Sequence, residues 1–442
     1  MKAINFELLE NFSKKYQEKP VQRALRRVLQ KNELVGLFEK QESKPKTQFR
    51  FSHEIKTLPV SNQKASGRCW LFAGLNVLRE TIAKRYNLAQ FEFSQNYTAF
   101  WDKFEKINYF IESIDDFLAC DQDDRTLQHI LKTGIQDGGQ WDMFVSLIEK
   151  YGVVPMDAMV ETSSSSNTRF MNQIINVKLR QYAAKARSLF ANGKQKEIAK
   201  LKEQYLEELF TFLVTNFGMP PKQFDFEFVD KDGQYGIHKN LTPQAFYHDY
   251  LNDCLKEYIS IINAPTKDKP FNKTYTVSYL GNVVGGRDIK YLNLEINELK
   301  QLVLDQMKNN EVVWFGADVG RYGDRVAGVW DDQTFDFDEM LEMNLWLSKA
   351  EELDYSQGAM NHAMVFTGFN LDEDKPNRYK IENSWGDANG LKGYYLATDT
   401  WFDRYVYQAV IHKNYLSEAQ LKAWKEKPIV LKPWDPMGSL AK

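Results

Sequence analysis

Cysteine and long apolar runs are both scarce in this chain of 442 residues. The three cysteines, Cys69, Cys120 and Cys254, are widely spaced and include no Cys-x-x-Cys pair. Such a set suits neither a disulfide framework nor a cysteine-rich zinc site, so we expect a reducing compartment. No apolar stretch approaches the roughly 20 residues that span a bilayer, and we expect no membrane association.

The first residues also lack the apolar run of a signal peptide. Ile4, Leu8, Leu9 and Phe12 recur with helical spacing, and acidic residues stand where a signal peptide is apolar. We therefore expect an amphipathic helix and a cytoplasmic protein.

Charge of one sign is not in excess. Lys+Arg number 57 and Asp+Glu 60, a formal net charge of -3, which gives no overall attraction to nucleic acid. One basic segment, residues 178–202, departs from this balance, and a nucleic-acid-binding module is the alternative there. A solvated face of an Ala-rich helix is favoured, because aromatic residues are sparse among its basic ones: Lys178, Arg180, Lys185, Arg187, Lys194, Lys196, Lys200 and Lys202.

Helical patterns lead in this sequence and strand patterns follow. Leu71, Leu75, Leu78 and Ile82 lie on one helical face, and residues 169–215 are rich in helix-forming residues. Five later runs either alternate apolar with polar residues or are rich in β-branched and aromatic residues, as is typical of strands. This order predicts an α+β protein, with strands at 274–280, 312–315, 363–369, 378–382 and 393–398.

Chemistry is concentrated around Cys69, in the stretch QKASGRCWLFA (63–73). A cysteine in the first turn of a helix faces the positive end of the helix dipole, which favours a thiolate. Gln63 lies upstream, where its amide can join the backbone N–H of Cys69 as an oxyanion donor. Cys69 is therefore a candidate nucleophile.

A thiolate needs a proton shuttle, and one of the six histidines lies in suitable surroundings. His362 begins an apolar strand, and the downstream stretch ENSWG (382–386) supplies Asn383 to hold the imidazole and Trp385 to shield it. Cys, His and Asn are the three roles of a thiol acyl-transfer site. The ordinary interpretation, a buried cysteine in the core, becomes weak once these residues occur together.

The motifs around Cys69, His362 and Asn383 are similar to those of papain-like cysteine peptidases. Three features resemble the bleomycin hydrolase and bacterial aminopeptidase C family within that group: Gly-Arg before the cysteine, the stretch WFG (314–316) and the ending DPMGSLAK (435–442). His362 follows Cys69 at more than the roughly 130–150 residues of secreted papain-type enzymes. The helical insertion accounts for the excess.

The resemblance implies a papain-like fold of two lobes, one helical and one like a β-barrel, with a helical insertion and two terminal arms. It also implies that Gly138 and Gly139 line the substrate cleft. The implied divisions are 1–60 (N-terminal helical arm), 61–156 (helical lobe with the nucleophile), 157–273 (inserted helical module), 274–420 (β-rich lobe with His and Asn) and 421–442 (C-terminal arm).

The implied activity is that of an aminopeptidase acting on peptides, with an oligopeptide endopeptidase as the alternative. In the resembling family the C-terminal arm enters the active-site cleft, and trimming of Lys442 would leave Ala441 as its terminus. The family also implies a closed homohexamer. We expect no metal or organic cofactor, since the glycine-rich stretch 281–286 does not fit a dinucleotide site and the acidic stretch 121–124 lacks the glycine of a calcium loop.

Overall fold

Helices and strands follow one another in the predicted order in a computed structural model of the chain, which describes residues 1–40 and 46–441. The helices are α1 (Phe6–Gln17), α2 (Pro20–Leu29), α3 (Leu34–Leu37), α4 (Cys69–Arg85), α5 (Gln95–Asp115), α6 (Arg125–Thr133), α7 (Trp141–Tyr151), α8 (Ser163–Ser166), α9 (Arg169–Ala191), α10 (Gln195–Phe217), α11 (Pro243–Leu251), α12 (Ile296–Lys308), α13 (Phe337–Leu341), α14 (Lys349–Asp354), α15 (Asp399–Tyr405) and α16 (Glu418–Trp424).

The strands are β1 (His53–Glu54), β2 (Phe224–Val229), β3 (Tyr235–Leu241), β4 (Tyr258–Ile262), β5 (Lys273–Val277), β6 (Tyr291–Asn293), β7 (Val313–Ala317), β8 (Gly323–Asp324), β9 (Val329–Trp330), β10 (His362–Asp372), β11 (Lys375–Glu382), β12 (Tyr394–Thr398), β13 (Val406–His412) and β14 (Ile429–Leu431). Short 3-10 helices occur at Met156–Ala158, Cys254–Glu257, Lys413–Tyr415 and Pro436–Ala441. The five predicted strands correspond to β5, β7, β10, β11 and β12, so the α+β class is confirmed.

One large mixed sheet organises the second half of the chain. Its strand order is β14-β5-β6-β4-β13-β7-β10-β11-β12-β9-β8, and β1 pairs with β10. A separate hairpin, β2 and β3, forms a second sheet. Along β10 the side chains alternate, as the period of two requires: Ala363 and Val365 join a core shared with the helices, and Met364 and Phe366 join a second core within the β-rich part. The two cores are the two lobes expected from the resemblance.

Helix α4 crosses the core between these parts. The predicted apolar face is confirmed, since Leu71, Leu75, Leu78 and Ile82 are each at most 2% exposed. Polar residues of α4 are buried too, among them Asn76 and Arg79. A helix enclosed on nearly all sides is held in a fixed position, which matters because α4 begins at Cys69.

The basic segment lies on a hairpin of two long helices, α9 and α10, which pack on each other and on α5. Tyr182 and Tyr205 are buried between these helices with ring centroids 5.6 Å apart. Residues 169–215 therefore form helices, as their composition predicts, whereas the implied module 157–273 also contains strands β2, β3 and β4.

Near the start of the chain, α1 buries none of its residues. The apolar side chains of Phe6, Leu8, Leu9 and Phe12 are all exposed. Within the described ranges, 1–40 and 46–441, none of the helices has the length and apolar character needed to cross a membrane.

Candidate active site

Cys69 is the first residue of α4 and is 5% exposed. The first N–H groups of a helix have no partner within the helix, so they are free to donate outward. The backbone N–H groups of Ala363, Trp70 and Cys69 itself lie near the sulfur and act to lower the pKa of the thiol. The contact with Ala363 places the sulfur next to the first peptide of β10, and that peptide begins at His362.

Sheet register brings His362 and Asn383 together. His362 is the first residue of β10 and Asn383 directly follows β11, its antiparallel neighbour, so both lie at the same end of the sheet. Nε2 of His362 lies 2.8 Å from Oδ1 of Asn383, and since Oδ1 can only accept, Nε2 is the donor. In the neutral imidazole Nδ1 then carries no proton and can accept one.

Trp385 covers this histidine. Its ring stacks on the imidazole of His362 with centroids 4.6 Å apart and planes inclined by 27°. Asn383 is 1% exposed and His362 4% exposed, so the hydrogen bond between them is withdrawn from water. The shielding tryptophan expected from the sequence stands at this position.

Burial opposes the charged forms of both groups. It raises the pKa of the Cys69 thiol to about 11, although the three N–H donors act in the opposite direction. It also lowers the pKa of His362 to about 4, against the Asn383 hydrogen bond, and Arg325 lowers it further. In this closed cleft, burial therefore outweighs the helix-terminus effect that the sequence suggested for the thiol.

Gln63 is fixed by Ser384 and Ser66. The backbone N–H of Gln63 donates to the Ser384 carbonyl at 2.8 Å, and the Ser384 hydroxyl donates to Oε1 of Gln63 at 2.7 Å. Nε2 donates to the Ser66 carbonyl at 2.6 Å. One amide hydrogen engages Ser66 and the second is available to another acceptor, because an amide nitrogen carries two.

The two predicted cleft glycines differ in what they face. A Cβ on Gly138 would lie 2.1 Å from the carbonyl oxygen of Leu440 and 3.1 Å from the backbone of Ala441. A Cβ on Gly139 would instead meet the ring of Trp70 at 2.4 Å. Gly138 therefore lets the C-terminal segment approach, whereas Gly139 packs on the nucleophile helix.

The C-terminal arm is anchored along its length. Asp435 pairs with Lys269 at 3.0 Å, and both side chains are buried. The Ser439 hydroxyl donates to the Met360 carbonyl at 2.7 Å, and Ala441 is 9% exposed. Lys442 lies outside the described residues, so its predicted trimming stays a prediction.

Sequence reasoning missed Asp137, which supports the loop before Cys69. Its carboxylate accepts from the backbone N–H of Gly67 at 2.9 Å and from Lys103 at 2.5 Å. Burial alone would raise its pKa, but the Lys103 ammonium and hydrogen bonds from Lys103, Thr168 and Asn172 lower it well below its usual range. The available signal was position, since Asp137 directly precedes Gly138.

A buried ion pair between Arg79 and Glu382 was also missed. It joins α4 to the end of β11 at 2.8 Å, with both side chains 1% exposed. Asn76 adds a hydrogen bond to the same carboxylate oxygen at 2.8 Å. The pair ties the nucleophile helix to the residue immediately before Asn383, and no pattern in the sequence couples positions so far apart.

A buried cysteine at a helix start, beside a histidine that donates to an asparagine, is the arrangement of a cysteine peptidase. Comparisons with known proteins agree. Residues 3–438 match the Peptidase C1-like family. The chain belongs to that family, as the resemblance predicted, and is a cysteine-type peptidase.

Several relatives match over most of the chain. Aminopeptidase C of Listeria monocytogenes is 47% identical over 438 residues, which cover 99% of both chains. Bleomycin hydrolase of Rattus norvegicus is 40% identical over 87% of this chain and 86% of its own. The crystal structure of PepW from Lactobacillus rhamnosis HN001 is 45% identical, with a TM-score of 0.97 and 99% of each chain covered.

Proposed function

We propose that this chain is a thiol aminopeptidase that releases residues from the free amino termini of peptides. The observation that carries this mode of action is the placement of the C-terminal arm, whose last described residues lie against Gly138. Relatives named aminopeptidase C, similar over nearly the whole chain, support the proposal.

In the proposed first step, the Cys69 sulfur attacks the scissile carbonyl carbon. The carbon–sulfur bond forms as the carbonyl π bond opens, and the thiol proton passes to Nδ1 of His362. The imidazolium then donates that proton to the leaving amine as the carbon–nitrogen bond breaks, which leaves an acyl-enzyme. His362 next takes a proton from water as the water oxygen bonds to the thioester carbon. The carbon–sulfur bond then breaks, the carboxylic acid product leaves, and the imidazolium returns its proton to the sulfur.

Asn383 and Trp385 would position the imidazole for both transfers. The hydrogen bond of 2.8 Å from Nε2 to Asn383 keeps the proton on that nitrogen and leaves Nδ1 free to accept. The stacked ring of Trp385 keeps water from competing for this bond. Gln63 and the backbone N–H of Cys69 would stabilise the oxyanion, since Ser384 and Ser66 already hold the Gln63 amide in place.

The arm would select free amino termini in two ways. It would occupy the side of the cleft next to Gly138, against which Leu440 and Ala441 lie, and would leave no room there for residues upstream of the scissile bond. Its terminal carboxylate would pair with the α-ammonium of the substrate, a charge-assisted hydrogen bond that contributes roughly 1.5–3 kcal/mol. Trimming of Lys442 would make that group the carboxylate of Ala441.

One peptide and its N-acetylated twin test the function. Mass spectrometry of the products should show stepwise loss of N-terminal residues from the free peptide and no products from the acetylated one. Cys69→Ala should abolish release from the free peptide. Internal cleavage of both twins would favour the endopeptidase alternative, and release that persists in Cys69→Ala would overturn the mechanism.

We also propose a cytoplasmic homohexamer. The exposed apolar residues of α1 support an interface, because a large apolar patch on a helix is otherwise unfavourable in water.

The nucleic-acid alternative gains no support from the basic segment. Lys178 pairs with Glu208, Lys202 with Glu112, and Arg187 donates to the Cys120 carbonyl at 2.7 Å. Cations that already have partners are less available to phosphates.

A further inference from the structure

A cation lies over the ring of Trp385, and the peptidase mechanism leaves its purpose unexplained. The guanidinium carbon of Arg325 lies 4.3 Å from the centroid of the Trp385 ring. The side chain of Arg325 is exposed, and it makes no ion pair with a carboxylate anywhere in the described ranges 1–40 and 46–441. A charged group is thus held next to the catalytic centre without a charged partner of its own.

The backbone around Arg325 is held firmly. The Asp324 carboxylate accepts from the N–H groups of Val326 and Ala327, both at 2.9 Å. The hydroxyl of Tyr395 donates to the Arg325 carbonyl at 3.1 Å. A turn braced in this way fixes the backbone from which the Arg325 side chain extends, and the ring of Trp385 lies under its guanidinium.

The side of the cleft that the leaving group would use follows from the proposed function. In that function the arm, which lies against Gly138, would close the acyl side, and His362 must face the departing amine in order to protonate it. The leaving portion therefore passes the imidazole and the ring of Trp385 that stacks on it. Arg325 is two ring contacts from His362, a reach of one or two extended residues at about 3.5 Å each.

We propose that Arg325 is a specificity-determining residue that binds a carboxylate in the leaving portion of the substrate. The inference rests on the proposed aminopeptidase function. Two sources supply this chemistry: the C-terminal carboxylate of a short peptide and the side chain of an aspartate or glutamate just after the scissile bond. The planar guanidinium suits either one, since it offers paired N–H donors to a carboxylate.

Two matched substrate pairs separate these sources. One pair is a dipeptide with a free C-terminal carboxylate and the same dipeptide as its amide. The other is a pair of dipeptide amides that carry aspartate or asparagine after the scissile bond. For each pair the measured quantity is the ratio of kcat/KM for the charged substrate to that for the neutral one.

Arg325→Gln should lower at least one ratio by about fivefold, the scale of a partly exposed ion pair. Arg325→Lys should retain part of the preference, because it keeps the charge. Arg321→Gln is the matched control: it removes a cation from the same loop, but that guanidinium donates to the Gln357 carbonyl at 2.6 Å and should leave both ratios unchanged. Raising the salt concentration should reduce the preference of the unaltered enzyme.

Arg325→Gln acting equally on charged and neutral substrates would overturn the inference, because its charge would then act only through His362. Values of kcat/KM that do not change for any substrate would overturn it as well, and in both cases hydrolysis of the neutral peptides leaves the aminopeptidase function standing. If no substrate of either pair is hydrolysed, the proposed function fails and the inference fails with it.

Discussion

Burial disfavours the thiolate of Cys69 and the imidazolium of His362 when each is considered with a neutral partner. The two charges together are a different case, because opposite charges in a low-dielectric site stabilise each other. Activation in this cleft would therefore belong to the pair, and the apparent pKa values that experiments report would be those of the pair.

Replacing His362 tests that coupling. In His362→Gln the thiolate loses its counter-ion, so the pKa of Cys69 should move toward the value of about 11 that burial imposes. We expect the pH midpoint of alkylation by iodoacetamide to lie roughly two units higher than in the unaltered enzyme. Alkylation of Cys69→Ala is the control and measures how much label the other cysteines take up. If the alkylation midpoints of His362→Gln and the unaltered enzyme are equal, the imidazolium does not stabilise the thiolate.

The carboxyl group of Glu80 makes the free energy of unfolding depend on pH. Burial, followed by repulsion from Glu382, raises its pKa to about 7 from an ordinary value of 4.5. As pH rises above 4.5 the unfolded chain loses this proton while the folded chain keeps it, so stability falls until the pH reaches about 7. The Glu80 side chain is 22% exposed, so water screens this contribution to stability only in part.

Glu80→Gln should remove that loss. Its advantage in unfolding free energy over the unaltered protein should grow between pH 4.5 and 7, to on the order of 3 kcal/mol. Denaturant titrations at pH 4.5, 6 and 8 measure it. The glutamine keeps an acceptor for the Leu58 N–H, which the carboxylate accepts at 3.1 Å. An advantage that is constant with pH would contradict the assignment.

Among the structural elements, the C-terminal arm is the one that we propose controls access to the cleft. Residues Pro436–Ala441 form a 3-10 helix whose end is accommodated only because residue 138 has no Cβ. The helices and the sheet position the proposed catalytic groups, whereas the arm would limit the length of peptide that reaches them. Activity and selectivity would then depend on different elements and should respond separately to mutation.

Displacing the arm should change which peptides are cleaved without abolishing cleavage. Deleting residues 439–442 should weaken release from free amino termini and open N-acetylated peptides to cleavage. Gly138→Ala, whose Cβ would lie 2.1 Å from the Leu440 carbonyl oxygen, should act in the same direction with the chain at full length. Product analysis of the twin peptides measures both. If each variant keeps the preference for free amino termini, the arm is not the gate.

At the scale of the whole molecule, the feature to be explained is the exposed apolar surface of α1. Four apolar side chains of this helix lie in water in the single chain, which favours an assembly that covers them. A closed hexamer would also restrict access to the cleft to unfolded peptides.

Light scattering should give a hexamer at micromolar concentration. Phe6→Glu with Leu9→Glu should shift the mass toward smaller species, because each substitution places a charge in an apolar contact. Asn11→Glu with Ser13→Glu adds the same charge to polar, exposed positions of α1 and should leave the mass unchanged. A monomeric unaltered protein at that concentration would remove the hexamer from consideration.

Local patterns were sufficient for much of this protein. Helical spacing located α4 and its start at Cys69, and β-branched and aromatic runs located the strands around His362 and Asn383. These features depend on residues within one or two turns or along one strand, so they are present in the sequence itself. The family followed from motifs of the same short range.

Tertiary structure alone decided the environment of those residues. The pKa of Cys69 depends on burial by segments far away in the chain, and Gly138 and Gly139, adjacent in sequence, face the arm and Trp70 respectively. The contact of Arg325 with Trp385 likewise joins a turn to a different strand end. Such contacts arise when remote segments are packed together, and desolvation and Coulomb interaction then act across space, without regard to the distance along the chain.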